Sequence, residues 1–353
     1  MKPIDDTRMF EKFGQTLAEE AEVHIIGYPS QGIVNYPTII FHPLTSFARL
    51  SIERILQPWK IFKKITQIKP DILIITTHEL LVIGMLTRVF LSCRLIYDVQ
   101  ENYCRNILYT NAFPKIIRPF VAAYVRCKEW ITSPFVNHFL LAERGYDTEL
   151  HFPGNKKTVI ENKTKKKEIV APKKNDGNIH LLFTGTLAET TGVFTAIDLA
   201  QQLHNLNSSI QLTVVGYCSL QSTLEKIKNT ISNKDFIELI GGDQLVPHSD
   251  IVAQIQSSDF GIITYTENPS IVNSIPTKLY EYLGYQLPIL MIDYQPWVDL
   301  AKPHQASITF KPSNINPKVL LDRMKNQSFY TSKPEDVFWE SEAEKLKKII
   351  LTG

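Results

Sequence analysis

The sequence predicts two doubly wound α/β domains, each built on a parallel β-sheet with helices on both faces. The chain has 353 residues, of which 44% are hydrophobic, enough to bury two ordinary cores. Short apolar runs bounded by turn residues alternate with stretches of helical periodicity. A lysine-rich stretch separates two such series. The predicted organisation is an N-terminal domain at 1–162, a linker at 163–178, a second domain at 179–335 and a C-terminal helix at 336–353.

The first half is predicted to begin with a capped helix at 5–20, followed by the strand VHIIG. The segments DILIITT, HELLVIGMLTRVF and RLIYDV then read as strand, helix and strand, which is one unit of a parallel sheet. NHFLLAERGY and TVIEN are predicted to supply the last strands. Ligands in such sheets bind beyond the carboxyl ends of the strands. The polar residues placed there are His78, Glu79, Asp98, Gln100 and Glu101.

The second half alternates more regularly. The predicted strands are IHLLFTGT, IQLTVVG, FIELIGG, DFGIIT, PILMID and SITF, with a helix in most of the intervals. The final segment, FWESEAEKLKKII, is predicted to be an amphipathic helix anchored by Trp339 and packed on the N-terminal domain.

The segment 268–293 carries the clearest candidate site. Ser274 is a plausible N-cap, Pro276 would lie in the first turn, and the helix would end at Gly284. Backbone N–H groups at the helix start and Lys278 suit an anion, and Glu281 lies one turn further on the same face. This face suits a nucleotide diphosphate, with the carboxylate accepting ribose hydroxyls. The alternative is a solvated Lys–Glu surface pair.

The pattern S-x-P-x-K-L-Y-E-Y-L-G-x-x-x-P-I in this segment resembles the nucleotide-sugar signature of the retaining GT-B glycosyltransferases of family 4. The segments DDTR, EVHIIG and IYDVQEN resemble further parts of that family. The resemblance implies two Rossmann-like domains facing a cleft and transfer of a sugar from a nucleotide diphosphate sugar to a glycan or lipid-linked acceptor, in cell-surface polysaccharide synthesis. It implies no cofactor and a metal-independent reaction.

The resemblance also implies roles for individual residues. Glu281 would hold the donor ribose, and Asn273 and Gln100 stand where relatives have a Glu and a His beside the donor sugar. With Lys278, these are the candidate catalytic residues. Thr186 and Thr191 stand where relatives have an Arg and a Lys that bind the diphosphate. The further donor-binding candidates are Gly185, Gly216, Tyr217, Gly241, Ser274, Pro276 and Thr277, and Glu143 joins the strand-end residues of the first domain on the acceptor side.

The departures from the family pattern leave two alternatives. Relatives have an apolar first strand before the D-T-R helix, and we expect the N-terminal sheet to lack it. Together with the four substitutions at Gln100, Thr186, Thr191 and Asn273, this favours, as the second hypothesis, a catalytically degenerate homologue that acts as a binding or scaffold subunit. A nucleotide-sugar 2-epimerase is the third hypothesis, and the loss of titratable groups at Gln100 and Asn273 speaks against it.

Composition and charge bear on the other possible functions, namely nucleic-acid binding, metal binding and membrane association. The net charge is +2, and the lysine-rich stretch has no interleaved aromatic residues, which argues against nucleic-acid binding. Four cysteines without C-x-x-C spacing indicate reduced thiols in a cytoplasmic protein, and no D-x-D pair suggests a metal site. No segment reads as a membrane span. Basic and aromatic residues are interleaved over 105–135, which predicts peripheral contact with an anionic membrane surface.

Overall fold

The computed structural model describes residues 2–29, 36–45, 52–110, 113–166, 176–266 and 268–351. These residues fall into two compact units. The first consists of Met1–Lys165, Pro269–Ser274 and Trp339–Gly353, and the second of Lys166–Asn268 and Ile275–Phe338. Most of the predicted linker, 167–175, lies outside the described residues. The first residues of the predicted linker are not solvated. Lys163 is buried inside the first unit, and its Nζ lies 2.9 Å from Oε1 of Glu342.

The strands of the first unit form two parallel groups. They are β1 (Val23–Gly27), β2 (Ile39–Pro43), β3 (Ile72–Ile75), β4 (Arg94–Val99), β5 (His138–Leu141) and β6 (Lys157–Val159). Strands β1 and β2 pair with each other, and β3 to β6 form a four-stranded sheet in chain order. The predicted strand–helix–strand unit is confirmed, because β3 and β4 are parallel neighbours from Ile72 beside Arg94 onward.

The helices of the first unit cover these strands. They are a π-helix at Thr7–Gly14 continued by α1 (Gln15–Leu17), then α2 (Ile52–Ile68), α3 (Leu81–Leu91), α4 (Tyr103–Tyr109), α5 (Arg118–Thr132) and α6 (Tyr146–Glu149). Short 3₁₀ turns lie at His78–Leu80, Ser133–Phe135 and Gly154–Lys156. The predicted N-terminal helix is present, and the Asp6 carboxylate caps it by accepting the backbone N–H groups of Arg8 and Met9. The predicted helical stretch 105–135 is two helices, with 111–112 outside the described residues.

The second unit has one six-stranded parallel sheet. Its strands are β7 (Ile179–Thr186), β8 (Ile210–Tyr217), β9 (Ile237–Gly242), β10 (Phe260–Ile263), β11 (Ile289–Ile292) and β12 (Ser307–Phe310). The order β12-β11-β10-β7-β8-β9 is doubly wound, with the chain reversing direction across the sheet beside β7. The prediction of a second parallel sheet is therefore confirmed.

The helices of the second unit pack on both faces of that sheet. They are α7 (Val193–Leu206), α8 (Gln221–Ile231), α9 (His248–Ser257), α10 (Thr277–Gly284), α11 (Gln295–Ala301) and α12 (Pro317–Asn326), with 3₁₀ turns at Lys302–His304 and Pro312–Asn314. The strands are nearly continuous apolar runs, as burial on both faces requires. Phe183 and Leu290, for example, are fully buried.

The C-terminal helix α13 (Glu340–Leu351) belongs to the first unit, as does the 3₁₀ turn Pro269–Ile271. Trp339 precedes α13 and stacks on Phe13 with ring centroids 5.7 Å apart. Its indole N–H donates to the Thr16 hydroxyl at 2.9 Å, so the one polar atom of this buried side chain is satisfied. Trp339 thus anchors the last helix of the chain on the first.

Candidate functional site

Three glycines lie side by side at the carboxyl ends of three neighbouring strands of the second unit, β7, β8 and the edge strand β9. Gly185 of β7 is opposite Gly216 of β8, and Gly216 is opposite Gly241 of β9. All three have positive φ, at +102°, +153° and +88°. A Cβ on Gly216 would lie 1.7 Å from the carbonyl oxygen of Gly185, which no other residue tolerates. The row leaves a bare backbone surface at the edge where ligands of such sheets bind.

The loop after β7 is held by hydrogen bonds between the Thr191 hydroxyl and the loop backbone. The Thr191 hydroxyl lies 2.7 Å from the Thr186 carbonyl oxygen and accepts the N–H of Ala188 at 3.1 Å. Gly192 follows with φ +79°, and a Cβ there would meet the carbonyl oxygen of Thr264 at 1.6 Å. The geometry therefore gives Thr191 a loop-bracing role, whereas the Thr186 side chain is exposed at the strand end.

Helix α10 presents its first turn beside this surface. The helix begins at Thr277 with Pro276 as its N-cap, and no side chain caps it. Our prediction of Ser274 as the cap is wrong. The residue before a proline avoids the helical conformation, which keeps Ile275 out of the helix and moves the start past Pro276. The N–H groups of the first turn consequently face a helix end without a capping oxygen, where an anion is stabilised.

Lys278 is buried on the first turn of α10, with 5% of its surface exposed. Among the described residues its Nζ has no hydrogen-bond partner, although it lies 4.1 Å from the centre of the Phe183 ring. Its aliphatic end packs against Gly185, with Nζ 3.7 Å from where a Cβ would be. Burial lowers the pKa of Lys278 to about 7, and Glu281 opposes this shift. A buried ammonium with unused donors can pair with an anion.

Glu281 lies one turn after Lys278 and is 8% exposed. Its Oε1 is 2.8 Å from Nε2 of His248, the first residue of α9. The carboxylate is thus held by a side chain from a different element of the same unit. Tyr217, at the end of β8, is 38% exposed, so its ring presents an open face at the same edge of the sheet.

In the first unit, the strand-end residue Asp98 is completely buried and forms a bidentate pair with Arg8. Its Oδ1 is 2.7 Å from Nη2 and its Oδ2 is 2.9 Å from Nε. Gln100 donates its side-chain amide to Oδ2 at 2.8 Å. This geometry assigns Asp98 to the fold, where it holds the N-terminal helix on the sheet, and it leaves Gln100 half-buried at the strand end.

The other predicted acceptor-side residues lie after three different strands, β3, β4 and β5. His78 has its Nδ1 3.0 Å from Nζ of Lys128 and its ring against Tyr103, and Glu79 follows it in the same 3₁₀ turn. Glu101 accepts the side-chain amide of Asn106 at 3.0 Å. Glu143 is half-buried after β5.

Asn273 also lies in the first unit. It adopts a left-handed conformation with φ +61°, which asparagine tolerates better than most residues. Its exposed side-chain amide donates to Oε1 of Glu149 at 3.3 Å, and the same Oε1 receives Arg105 at 2.6 Å. A Cβ on Gly145 would lie 2.4 Å from the Cβ of Asn273, so the backbones approach closely here.

Comparison with known families matches residues 164–326 to the family described as glycosyl transferases group 1. Residues 164–326 therefore form a glycosyl transferases group 1 domain, and the chain is a glycosyltransferase. This family transfers a sugar from a nucleotide-sugar donor. The matched residues include every donor-side candidate at 185–281. Among these candidates, Asn273 and Ser274 belong to the first unit and the others to the second. Comparison with curated proteins finds no match.

Solved structures share the fold at low sequence identity. Sucrose-phosphate synthase from Thermosynechococcus elongatus is 12% identical with a TM-score of 0.69, over 95% of this chain and 90% of the other. HepE from Anabaena, in complex with UDP-glucose, is 12% identical with a TM-score of 0.63, over 90% and 87%. A structure described as a putative UDP-N-acetylglucosamine 2-epimerase from Listeria monocytogenes is 13% identical with a TM-score of 0.56, over 90% and 84%. The glycosyltransferase therefore has the GT-B fold that the sequence predicts.

Several residues of the glycosyltransferase site were missed by sequence reasoning. The sequence shows His248 only as a histidine near the start of a predicted helix. Its contact with Glu281 could not be expected, because the two residues are 33 positions apart in the sequence. The sequence likewise gave no indication that Glu149 accepts the side chains of Asn273 and Arg105. The four cysteines of the glycosyltransferase are free. Within the described ranges, no helix is long and apolar enough to cross a membrane, and no three His, Cys, Asp or Glu side chains are grouped to hold a metal ion.

Proposed function

We propose that this glycosyltransferase binds a nucleotide diphosphate sugar at the start of α10 and transfers the sugar, with retention of configuration and without a metal ion, to a glycan or lipid-linked acceptor in cell-surface polysaccharide synthesis. The observation that carries the proposal is the buried ammonium of Lys278, which has no hydrogen-bond partner among the described residues and lies between Gly185 and the first turn of α10. A diphosphate supplies the anion that this ammonium requires, and the start of α10 favours a negative charge at the same place.

The same arrangement supports a mechanism. In the transfer step an acceptor hydroxyl oxygen bonds to the sugar as the bond between the sugar and the diphosphate breaks, so negative charge grows on the leaving phosphate, which takes up the hydroxyl proton. A buried ammonium and an oriented helix start stabilise that charge more strongly than water does, because they need no reorganisation. Glu281 accepts the ribose hydroxyls, and His248 fixes the orientation of its carboxylate. The base is proposed to lie on Gly216, Tyr217 and Gly241.

The remaining site residues receive narrower proposals. Asn273 and Gln100 carry side-chain amides that can hydrogen-bond sugar hydroxyls but do not titrate near neutral pH. We propose His78, Glu79, Glu101 and Glu143 as acceptor-side residues. Asp98 is not proposed for the acceptor, because Arg8 occupies both of its oxygens.

Thermal unfolding with UDP, GDP, ADP and CMP tests the donor site. A ligand at a hundredfold its dissociation constant stabilises by about 2.7 kcal/mol, so one nucleotide should raise the midpoint clearly. Since HepE was crystallised with UDP-glucose, UDP is the first to test. We expect the shift to be lost in Lys278→Met and Glu281→Gln and retained in the exposed control Lys318→Met. No shift with any nucleotide would overturn the proposed site.

Turnover distinguishes transfer from epimerisation. We expect the nucleotide sugar to be consumed only when an acceptor is present and the product to keep the anomeric configuration of the donor. Interconversion of the nucleotide sugar alone, followed by NMR, would instead establish an epimerase.

A lipid-linked acceptor is supported by the outer face of α5. Phe120, Tyr124 and Ile131 follow one another at helical spacing on α5, and Phe120 is 75% exposed; Ile116, in the turn before the helix, is exposed as well. Trp130 lies beside this stripe and is 76% exposed. The opposite face of the helix is buried through residues such as Ala122 and Val125. Apolar side chains are therefore presented to the solvent along a packed helix.

Basic residues occur along the same segment, and contact with an anionic lipid surface would use them; among them Lys115 is exposed, whereas Lys128 contacts His78 and Arg126 pairs with Glu129. Lys115, Arg118, Arg126 and Lys128 lie on or next to α5. Flotation with vesicles that contain anionic lipid tests the contact. We expect the protein to float with these vesicles and the double variant Phe120→Ser, Trp130→Ser to stay in the soluble fraction. Recovery of the unaltered protein only in the soluble fraction would contradict membrane contact.

A further inference from the structure

Lys128 on α5 connects the exposed apolar stripe of that helix with His78, one of the acceptor-side candidates. Its Nζ lies 3.0 Å from Nδ1 of His78, which begins the 3₁₀ turn after β3. The same Nζ lies 5.0 Å from the centre of the Tyr124 ring. Tyr124 belongs to the stripe and is 62% exposed. One cation therefore stands where the stripe reaches the carboxyl edge of the four-stranded sheet.

The ammonium of Lys128 has donors that no protein group uses. Among the described residues, it makes one hydrogen bond, to His78, and no ion pair. An ammonium carries three N–H groups, so two remain for a ligand. The side chain is half-buried rather than enclosed. Lys128 can therefore pair with an anion that arrives from the side of the stripe.

The hydrogen bond between Lys128 and His78 restricts the chemistry of that ligand. An ammonium only donates, so Nδ1 of His78 accepts, and the proton of the neutral ring lies on Nε2. The pair as a whole then offers N–H groups and no remaining acceptor. The charged oxygens of a phosphate ester only accept, whereas a sugar hydroxyl also donates. A phosphate ester is therefore the better match for this pair.

The carboxylates near Lys128 leave its positive charge in place. Burial lowers the pKa of Lys128, and the carboxylates of Glu79 and Glu129 oppose that shift. Glu129 is buried and has a cation of its own, since its Oε2 lies 3.0 Å from Nη1 of Arg126. Glu129 therefore does not compete with a ligand for Lys128. Glu79, next to His78 in the 3₁₀ turn, favours the charged form of the lysine.

The apolar stripe leads directly to Lys128. Phe120, Tyr124 and Lys128 are spaced by four residues, so their side chains follow one another on one face of α5. At a rise of about 1.5 Å per residue, the distance from Phe120 to Lys128 along the helix is about 12 Å. Phe120 and Tyr124 are both exposed. An apolar chain that lies on these two rings would bring a group at its end to Lys128.

We propose that Lys128 and His78 form the subsite for a phosphate group carried by an apolar chain, and that the chain lies on Phe120 and Tyr124. This inference rests on the proposed transfer to a lipid-linked acceptor, and it names the class of that acceptor. The acceptor is an apolar alcohol joined to its sugar through phosphate. Its chain lies along α5, its phosphate at Lys128, and its sugar beyond His78 at the carboxyl ends of the strands.

Calorimetric titration with geranyl phosphate, a short-chain ester that stays in solution, tests the subsite. We expect Lys128→Met to raise the dissociation constant at least about tenfold, because hydrogen bonds to a charged group are lost. Lys128→Arg keeps the charge and should retain most of the affinity. The matched control is Lys63→Met, which removes one exposed charge from α2 of the same unit and should leave the constant unchanged. Equal affinity in Lys128→Met and the unaltered protein would overturn the subsite.

Two partial ligands test the phosphate and the chain separately. Geraniol lacks the phosphate and inorganic phosphate lacks the chain, and we expect each to bind at least about tenfold more weakly than geranyl phosphate. Geraniol that bound as tightly would overturn phosphate recognition. Inorganic phosphate that bound as tightly would assign the site to the free anion and overturn the role of the chain.

A soluble phospholipid distinguishes the acceptor from the phospholipids of a membrane. Dihexanoyl phosphatidylglycerol carries two chains, whereas the rings of Phe120 and Tyr124 follow one another in a single file that accommodates one. We therefore expect this phospholipid not to displace geranyl phosphate. Displacement at similar concentrations would assign the site to phospholipid headgroups and overturn the acceptor subsite.

A variant of the donor site separates this subsite from the proposed nucleotide site. Geranyl phosphate should bind Lys278→Met as tightly as the unaltered protein, and Lys128→Met should keep the thermal shift with the nucleotide, which also shows that this variant is folded. Loss of geranyl phosphate binding in Lys278→Met would place the ligand at the donor site and overturn the subsite. Binding of geranyl phosphate through Lys128, without a shift from any nucleotide, would support the subsite and overturn the donor site alone.

Discussion

Nε2 of His248 lies 2.8 Å from Oε1 of Glu281. The two residues belong to different helices of the second unit, since His248 is the first residue of α9 and Glu281 lies within α10. The pair fixes the carboxylate that we assign to the donor ribose. Both side chains are largely buried, so the hydrogen bond is poorly replaced by water.

Replacing His248 should weaken nucleotide binding while leaving the diphosphate contacts intact. A hydrogen bond of this kind contributes about 0.5–1.5 kcal/mol, so we expect His248→Ala to raise the dissociation constant of the nucleotide roughly 3- to 10-fold. His248→Gln can still donate and should recover part of this loss. Calorimetric titration measures the constants, and equal affinity in His248→Ala and the unaltered protein would contradict the positioning role.

Nucleotide affinity should fall as the pH rises through neutrality. Burial lowers the pKa of Lys278 from 10.5 to about 7, so between these values the unfolded chain carries a proton that the folded chain has released. The free energy of unfolding contributed by this group therefore rises with pH across that window. A bound diphosphate favours the ammonium, so binding takes up a proton above about pH 7.

The control for this pH dependence is Lys278→Arg, because a guanidinium keeps its charge in this range. We expect the dissociation constant of the arginine variant to be nearly flat from about pH 6.5 to 9, where Lys278 titrates. An unchanged pH slope in Lys278→Arg would show that another group is responsible.

The glycine row should not tolerate a side chain. Gly216→Ala places a Cβ 1.7 Å from the Gly185 carbonyl oxygen at φ +153°, and we expect a loss of about 3 kcal/mol or more in the free energy of unfolding. Gly177 has φ +79° with open space around its Cβ position, so Gly177→Ala isolates the conformational cost, at about 1 kcal/mol. Urea unfolding compares the two. Equal losses would refute the steric argument.

Breaking the Arg8–Asp98 pair should destabilise the first unit. Arg8→Met leaves a carboxylate buried without its partner, and loss of one member of such a pair costs about 3–5 kcal/mol. The double variant Arg8→Met, Asp98→Leu removes both charges and should be clearly more stable than Arg8→Met alone. If the double variant were the less stable of the two, the cost would not come from the unpaired charge.

The strands, and the position of Lys278 next to Gly185, could be predicted because they depend on local patterns. Apolar runs between turns identify buried parallel strands, and the carboxyl ends of such strands meet at one edge, which places Gly185 near the helix of Lys278. Helix α10 starts later than predicted, and the reason is also local, because Pro276 restricts the backbone conformation of Ile275, the residue before it.

The contacts that could not be predicted join residues far apart in the sequence. Asp98 was read as a ligand-facing strand-end residue, but the side chain that meets it comes from Arg8, 90 residues earlier. His248 begins the helix that follows β9. It meets Glu281 because the carboxyl end of β9 and the start of α10 lie at the same edge of the sheet. Spacing along the chain does not predict such pairs, because they depend on how the helices and strands pack.

The central claim is that Lys278 binds the diphosphate of the donor. The most direct measurement compares the affinities of the nucleoside monophosphate and diphosphate, for the base that the thermal experiment identifies, in the unaltered protein and in Lys278→Met. We expect the unaltered protein to bind the diphosphate at least tenfold more tightly, a difference of about 1.4 kcal/mol, and Lys278→Met to lose most of that preference. The same preference in both proteins would contradict the account.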